Sequence, residues 1–148
     1  MPSRLTKQLL PLLALAAFLS TISTAHAASV GYFQTNLTSD IPGLANNTDT
    51  RLKNPWGVSF GLNSPFWISD QVTNVSTLYN AAGVAQALVV ATPGGPTGQV
   101  FAGGLGFTMS PGVNANFIFS TLSGSIEAWN SGTAAVTEFT ATDGAVYT

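Results

Sequence analysis

The sequence predicts an all-β fold of repeated four-stranded sheets set behind an export leader, and three observations carry that expectation. Apolar runs beyond residue 27 are short and bounded by Gly, Asn, Thr, Ser and Pro. Helical periodicity is missing from the same region, and a stretch of about fifty residues recurs. Short apolar runs between turn residues read as strands with tight connections.

The expected strands are Tyr32–Leu37, Gly57–Phe60, Phe66–Ser69, Ser76–Tyr79, Ala87–Ala91, Gly106–Met109, Phe117–Ser120, Ser125–Trp129 and Val136–Thr140. The repeat aligns GVSFGLNSPFWISDQVTNVSTLYNAAG, beginning at Gly57, with GFTMSPGVNANFIFSTLSGSIEAWNSG, beginning at Gly106. Phe66 then corresponds to Phe117, Tyr79 to Trp129 and Asn80 to Asn130. A unit near fifty residues with four short strands has the dimensions of a β-propeller blade. Blade sheets are covered on both faces, which accounts for unbroken runs such as Phe66-Trp67-Ile68 and Phe117-Ile118-Phe119. A β-sandwich would use as many strands but predicts no such self-similarity.

The expected domain at 28–148 is therefore a partial propeller. Its first blade spans about 54–92, its second about 103–141, and a third opens at 143–148. Tyr32–Leu37 lies where a strand would complete the last blade and clasp the ring. Since a ring needs at least four blades, the expectation is the N-terminal third of a longer protein.

Met1–Ala27 has the parts of a cleavable signal peptide. Arg4 and Lys7 give a positive start, Leu9–Leu19 an apolar core, and Ala25-His26-Ala27 small residues at the positions that signal peptidase reads. An apolar core of that length spans only ~16 Å as a helix, against roughly 30 Å of membrane hydrocarbon. The expected location is secreted, periplasmic or at the cell envelope, with no membrane span after cleavage.

From residue 28 onward Arg51 and Lys53 face six acidic residues, a net charge of −4. That balance argues against nucleic acid or anionic lipid as a partner. The chain has no cysteine, and its one histidine, His26, departs with the leader. Residues 28–148 therefore cannot assemble a Ser-His-Asp triad, a thiol nucleophile or a histidine-ligated metal. Glu127 and Glu138 are expected on solvent-facing sides of their strands. Pro93-Gly94-Gly95-Pro96-Thr97-Gly98 lacks the Lys and helix of a phosphate loop and reads as a connection between blades.

The run FQTNLTSDIPGLANNTD, with LKNPWGVSF, SPFWISDQ, STLYNAAG, PTGQVF and TDGAVYT, resembles a family of exported bacterial β-propeller proteins without a settled activity. Some members carry C-terminal sorting tails of the PEP type. The resemblance covers nearly all of residues 28–148. It implies a six-bladed ring of the NHL or SMP-30-like kind in a protein more than twice this length. The later blades and any sorting tail of that family have no counterpart in this sequence.

The candidate ligand residues are Asn54, Trp56, Asp70 and Asn74. In a propeller, the turn entering the first strand of a blade and the turn after its second share one end of the ring. Asn54, Asp70 and Asn74 would supply oxygen donors for a sugar or for a hard cation such as Ca²⁺. The competing use is turn chemistry, in which Asn and Asp side chains bond nearby backbone. Trp56, beside a turn, would stack on a sugar, whereas Trp67, Tyr79 and Trp129 are expected in the core. No cofactor is indicated. The expected function is a non-enzymatic binding or scaffold module with an unidentified envelope or extracellular ligand, carbohydrate being one candidate class. The alternative is the N-terminal part of a lactonase- or lyase-like propeller whose catalytic residues lie in later blades.

Expressed in a bacterium with a secretion pathway, the precursor is expected to be cut between Ala27 and Ala28. N-terminal sequencing of the exported product checks this, and retention of Met1 would overturn it.

Overall fold

The computed structural model describes residues 31–148, so the expected leader and its cleavage point at Ala27 and Ala28 lie outside the described residues. The chain divides into two compact units, Met1–Phe33 and Gln34–Thr148. In the first, the described residues 31–33 have no regular structure. The second is all-β, and no helix long and apolar enough to cross a membrane occurs among the described residues.

The second unit opens with a short parallel pair, β1 (Thr38–Ser39) and β2 (Asn47–Thr48). A four-stranded antiparallel sheet follows, its strands β3 (Pro55–Ser59), β4 (Phe66–Asp70), β5 (Val75–Tyr79) and β6 (Ala85–Ala91) lying side by side in chain order. The second sheet comprises β7 (Pro96–Phe101), β10 (Phe117–Thr121), β11 (Ser125–Trp129) and β12 (Val136–Thr140), again in chain order and antiparallel. A small hairpin, β8 (Thr108–Ser110) with β9 (Val113–Asn114), is inserted between β7 and β10.

Strand alternation decides which residues the two sheets bury. In β4, Trp67 and Ser69 point one way while Phe66, Ile68 and Asp70 point the other. The Trp67 face meets the Phe117 face of the second sheet. Trp67 stacks on Phe117 with ring centroids 4.0 Å apart and planes at 22°, and Trp129 closes over both. Leu78, Val90 and Phe119 complete this core. Burying a large apolar side chain contributes about 1.5–3 kcal/mol, so this one seam is the main attraction between the sheets. The inner strands β3 and β7 run against each other there. A Cβ on Gly57 would lie 2.5 Å from the Thr97 carbonyl oxygen, and Gln99 Nε2 donates to the carbonyls of Gly57 and Trp67 at 2.8 and 2.5 Å.

The repeat appears in the strand register. Phe66 pairs with Tyr79 and Phe117 with Trp129, as the aligned sequences predict. Its first strand, however, differs from expectation in the second copy. Gly106–Met109 does not join the second sheet, for residues 108–110 belong to the inserted hairpin. The strand that does join, Pro96–Phe101, begins inside the stretch expected to be a connection. The second sheet thus spans 96–140, not 103–141. Pro55 pairs with Asp70 and Pro96 with Thr121, so Asn54-Pro55-Trp56-Gly57 matches Gly95-Pro96-Thr97-Gly98. Proline at a strand's first position is tolerated because no ladder amide is required there.

Two further expectations are corrected. Tyr32–Leu37 is not a strand, and pairing starts only at Thr38. Residues 143–148 form no strand either, although Tyr147 is held by its backbone, accepting from Thr97 Oγ1 at 2.8 Å and donating to the Thr121 carbonyl at 3.3 Å. Trp67 and Tyr79 are buried and Trp129 is half-buried in the core, as expected.

Candidate functional site

Asn54, Asp70 and Asn74 do meet at one end of the first sheet. Asn54 precedes Pro55, Pro55 pairs with Asp70, and Asn74 closes the β4–β5 turn. Both asparagines adopt left-handed backbone, with φ of 49° and 55°, a conformation that Asn tolerates better than most residues. Asn54 Nδ2 donates to Gln71 Oε1 at 2.9 Å, and the Gln71 amide returns a bond to the Asn54 carbonyl. Asn74 Oδ1 accepts the Gly95 amide at 2.8 Å, tying the β4–β5 turn to the segment that enters β7. Both side chains therefore carry out turn and inter-sheet bonding.

Asp70 is not the solvent-facing turn residue expected from its neighbours. It is the last residue of β4, shares the face of Phe66 and Ile68, which is turned away from the seam, and is wholly buried. Its Oδ2 accepts the Thr77 hydroxyl at 2.5 Å, while Oδ1 has no hydrogen-bond partner among the described residues. Burial pushes the carboxyl up to about 7. The hydrogen bonds from Thr77 offset part of that rise, and the nearby Asp49 charge adds to it.

Asp49, Arg51 and Tyr79 complete the cluster. Asp49 takes two bonds of 3.0 Å from the Arg51 guanidinium and one of 3.1 Å from the Tyr79 hydroxyl. Burial alone would raise the Asp49 carboxyl, but the Arg51 and Tyr79 bonds outweigh it and hold it below the usual range. Burial raises the Tyr79 phenol. The second cation, Lys53, bonds Asp40 at 2.6 Å. Beside this cluster an apolar groove of about 600 Å³ runs between residues 35–45 and the sheet, its walls including Leu37, Leu44, Val58, Phe66 and Tyr79.

Glu127, expected to face solvent, is 1% exposed. It shares a strand face with Ser125 and Trp129 and lies opposite Phe119. Burial pushes its carboxyl up to about 7, against a smaller lowering by the Thr137 hydroxyl. Trp56 is half exposed at a β-bulge, where Trp56 and Gly57 together oppose Ser69.

A hard cation such as Ca²⁺ takes six to eight oxygen ligands. At this end of the sheet Asp70 offers one free carboxylate oxygen and is sealed from solvent, while the Asn74 oxygen is already engaged. The residues fit that ion poorly. Among the described residues no three His, Cys, Asp or Glu side chains gather.

The Asp70 carboxyl sets a pH dependence. Its folded pKa lies above the unfolded value near 3.9, so between about pH 4 and 7 the folded state holds the extra proton. Stability then falls as pH rises through this window and levels off above it. Asp70→Asn is expected to gain on the order of 2 kcal/mol at pH 8 relative to wild type and almost nothing at pH 4. Urea unfolding at the two pH values checks this, and an equal effect at both would contradict it. Comparison with protein-family models, with curated proteins and with solved structures finds no match to this chain.

Proposed function

We propose that this chain is an exported, non-enzymatic binding module built on two neighbouring blades of a β-propeller, acting in the periplasm, at the envelope or outside the cell. The face-to-face stack of two four-stranded sheets with matching registers supports the blade reading. So do the two sheet faces turned away from the seam. Val58, Phe60 and Phe66 on the first sheet, and Val100, Val136 and Phe139 on the second, are exposed apolar side chains. Further blades would cover both faces, and the groove over the first would then receive part of a neighbouring blade.

The observation that carries the binding reading is Trp56. Trp67 and Trp129 lie in the core, whereas Trp56 stands half exposed at a bulge, a feature that re-aims a side chain and often borders a functional site. A half-exposed indole suits a carbohydrate, which stacks its apolar face on such a ring. Behind this surface Asp70 bonds Thr77 and ties β4 to β5.

Titration with soluble envelope oligosaccharides, followed by tryptophan fluorescence, tests the reading. Saturable quenching is expected, with Trp56→Ala weakening binding by about tenfold or more. The unfolding free energy of that variant should change by about 1 kcal/mol or less, as at other surface positions. Equal binding by Trp56→Ala, or no response to any oligosaccharide, would sink the proposal.

A further inference from the structure

A second pocket, independent of Trp56 and of the blade reading, lies where β11 and β12 meet the link between the sheets. It holds about 230 Å³ and is lined by Gly94, Ser123, Ser125, Glu127, Thr137 and Thr140, with Pro93 at its rim. The polar atoms of the lining side chains are all oxygens. Glu127 is almost completely buried, and its Oε2 has no hydrogen-bond partner among the described residues. Leaving such an oxygen unpaired carries a substantial desolvation penalty, so the pocket calls for a donor.

The hydroxyls of Thr121, Ser123 and Ser125 form a chain beside the pocket. Thr121 Oγ1 lies 2.7 Å from Ser125 Oγ and 3.0 Å from Ser123 Oγ, and it accepts the Ser125 amide at 3.1 Å. Each hydroxyl keeps lone pairs available when its proton is given to a neighbour. Thr137 sits directly across from Glu127 and Thr140 across from Ser125. Gly94 also lines the pocket, in left-handed backbone at φ 92°, where an added Cβ would collide with Ser123 Oγ.

We infer that this pocket binds a primary ammonium group on a small organic ligand, such as an amino sugar or an aliphatic diamine. A primary ammonium brings three N–H donors and one positive charge. Those match one unpaired carboxylate oxygen and two or more hydroxyl acceptors. The volume is several times the roughly 30 Å³ share of one water molecule, which fits a group of several heavy atoms better than a bare ion. One carboxylate also falls short of the charge that tight Ca²⁺ sites assemble. The net charge of −4 over residues 28–148, with Arg51 and Lys53 both paired to aspartates, draws cations toward the surface. The elevated pKa of Glu127 agrees with a carboxyl that lacks a cationic partner.

The test is a thermal-shift and calorimetric titration of the processed chain with glucosamine and with 1,5-diaminopentane. Glucose and choline serve as controls, the first lacking the charge and the second the N–H donors. Saturable binding of both amines is expected, with neither control competing. Glu127→Gln should weaken amine binding by about tenfold or more without lowering the melting temperature, since it removes a buried unpaired charge. Should that variant misfold, Ser125→Ala supplies the same readout by loss of an acceptor. Equal binding of glucose or choline, a response to Ca²⁺ alone, undiminished amine binding by the variants, or no amine binding would each overturn the assignment.

Discussion

The close approach of β3 to β7 at Gly57 governs the arrangement of the whole second unit. With no side chain at that position, the Thr97 carbonyl and the Gln99 backbone can lie against the first sheet. Gln99 then bonds two of its carbonyls. That spacing lets Trp67 lie flat on Phe117 and puts Trp129 against both. Any widening of the inner-strand gap would break the polar clamp and loosen the aromatic seam together. Packing and hydrogen bonding are thus coupled at one position, which makes this contact more sensitive than either would be alone.

The repeat places a buried carboxylate in each sheet. Each sheet has a polar pair at the same place in the repeat, with acid and hydroxyl exchanged between the copies. Asp70 at the end of β4 bonds Thr77 in β5. In the second copy Thr121 stands where Asp70 does, and Glu127 where Thr77 does. Asp70 keeps one free oxygen but is sealed behind the turn. Glu127 also keeps one, yet borders a pocket of hydroxyls. Burial raises both carboxyls toward neutrality, and the pocket that Glu127 lines distinguishes them.

Much of this was legible in the residues. β4, β5, β10 and β11 follow from aromatic and β-branched runs at a constant spacing, and their observed bounds differ from the expected ones by a residue at most. β7 was hidden because Pro93-Gly94-Gly95-Pro96 looks like a loop throughout, whereas only Pro93–Gly95 is one. The match of Pro55-Trp56-Gly57 to Pro96-Thr97-Gly98 was the available signal. Glycine-led Gly106–Met109 offers a competing match to Gly57–Phe60 in the same alignment. At Asp70 and Glu127 charge points to solvent while alternation points to burial. Asp70 has the parity of Phe66 and Ile68, and Glu127 that of Trp129, so the period of two already groups each acid with large apolar side chains of its own strand. The Asp49–Arg51–Tyr79 cluster joins residues thirty positions apart, and no local pattern announces it.

The most direct measurement of the inner-strand contact is the unfolding free energy of Gly57→Ala, read by urea titration with near-ultraviolet circular dichroism reporting the Trp67 environment. An added methyl must push back a main-chain carbonyl, not a flexible side chain, so a loss of about 1–3 kcal/mol is expected, as for other overpacked sites. The aromatic signal should weaken with it. Wild-type stability together with an unchanged aromatic spectrum would contradict the account.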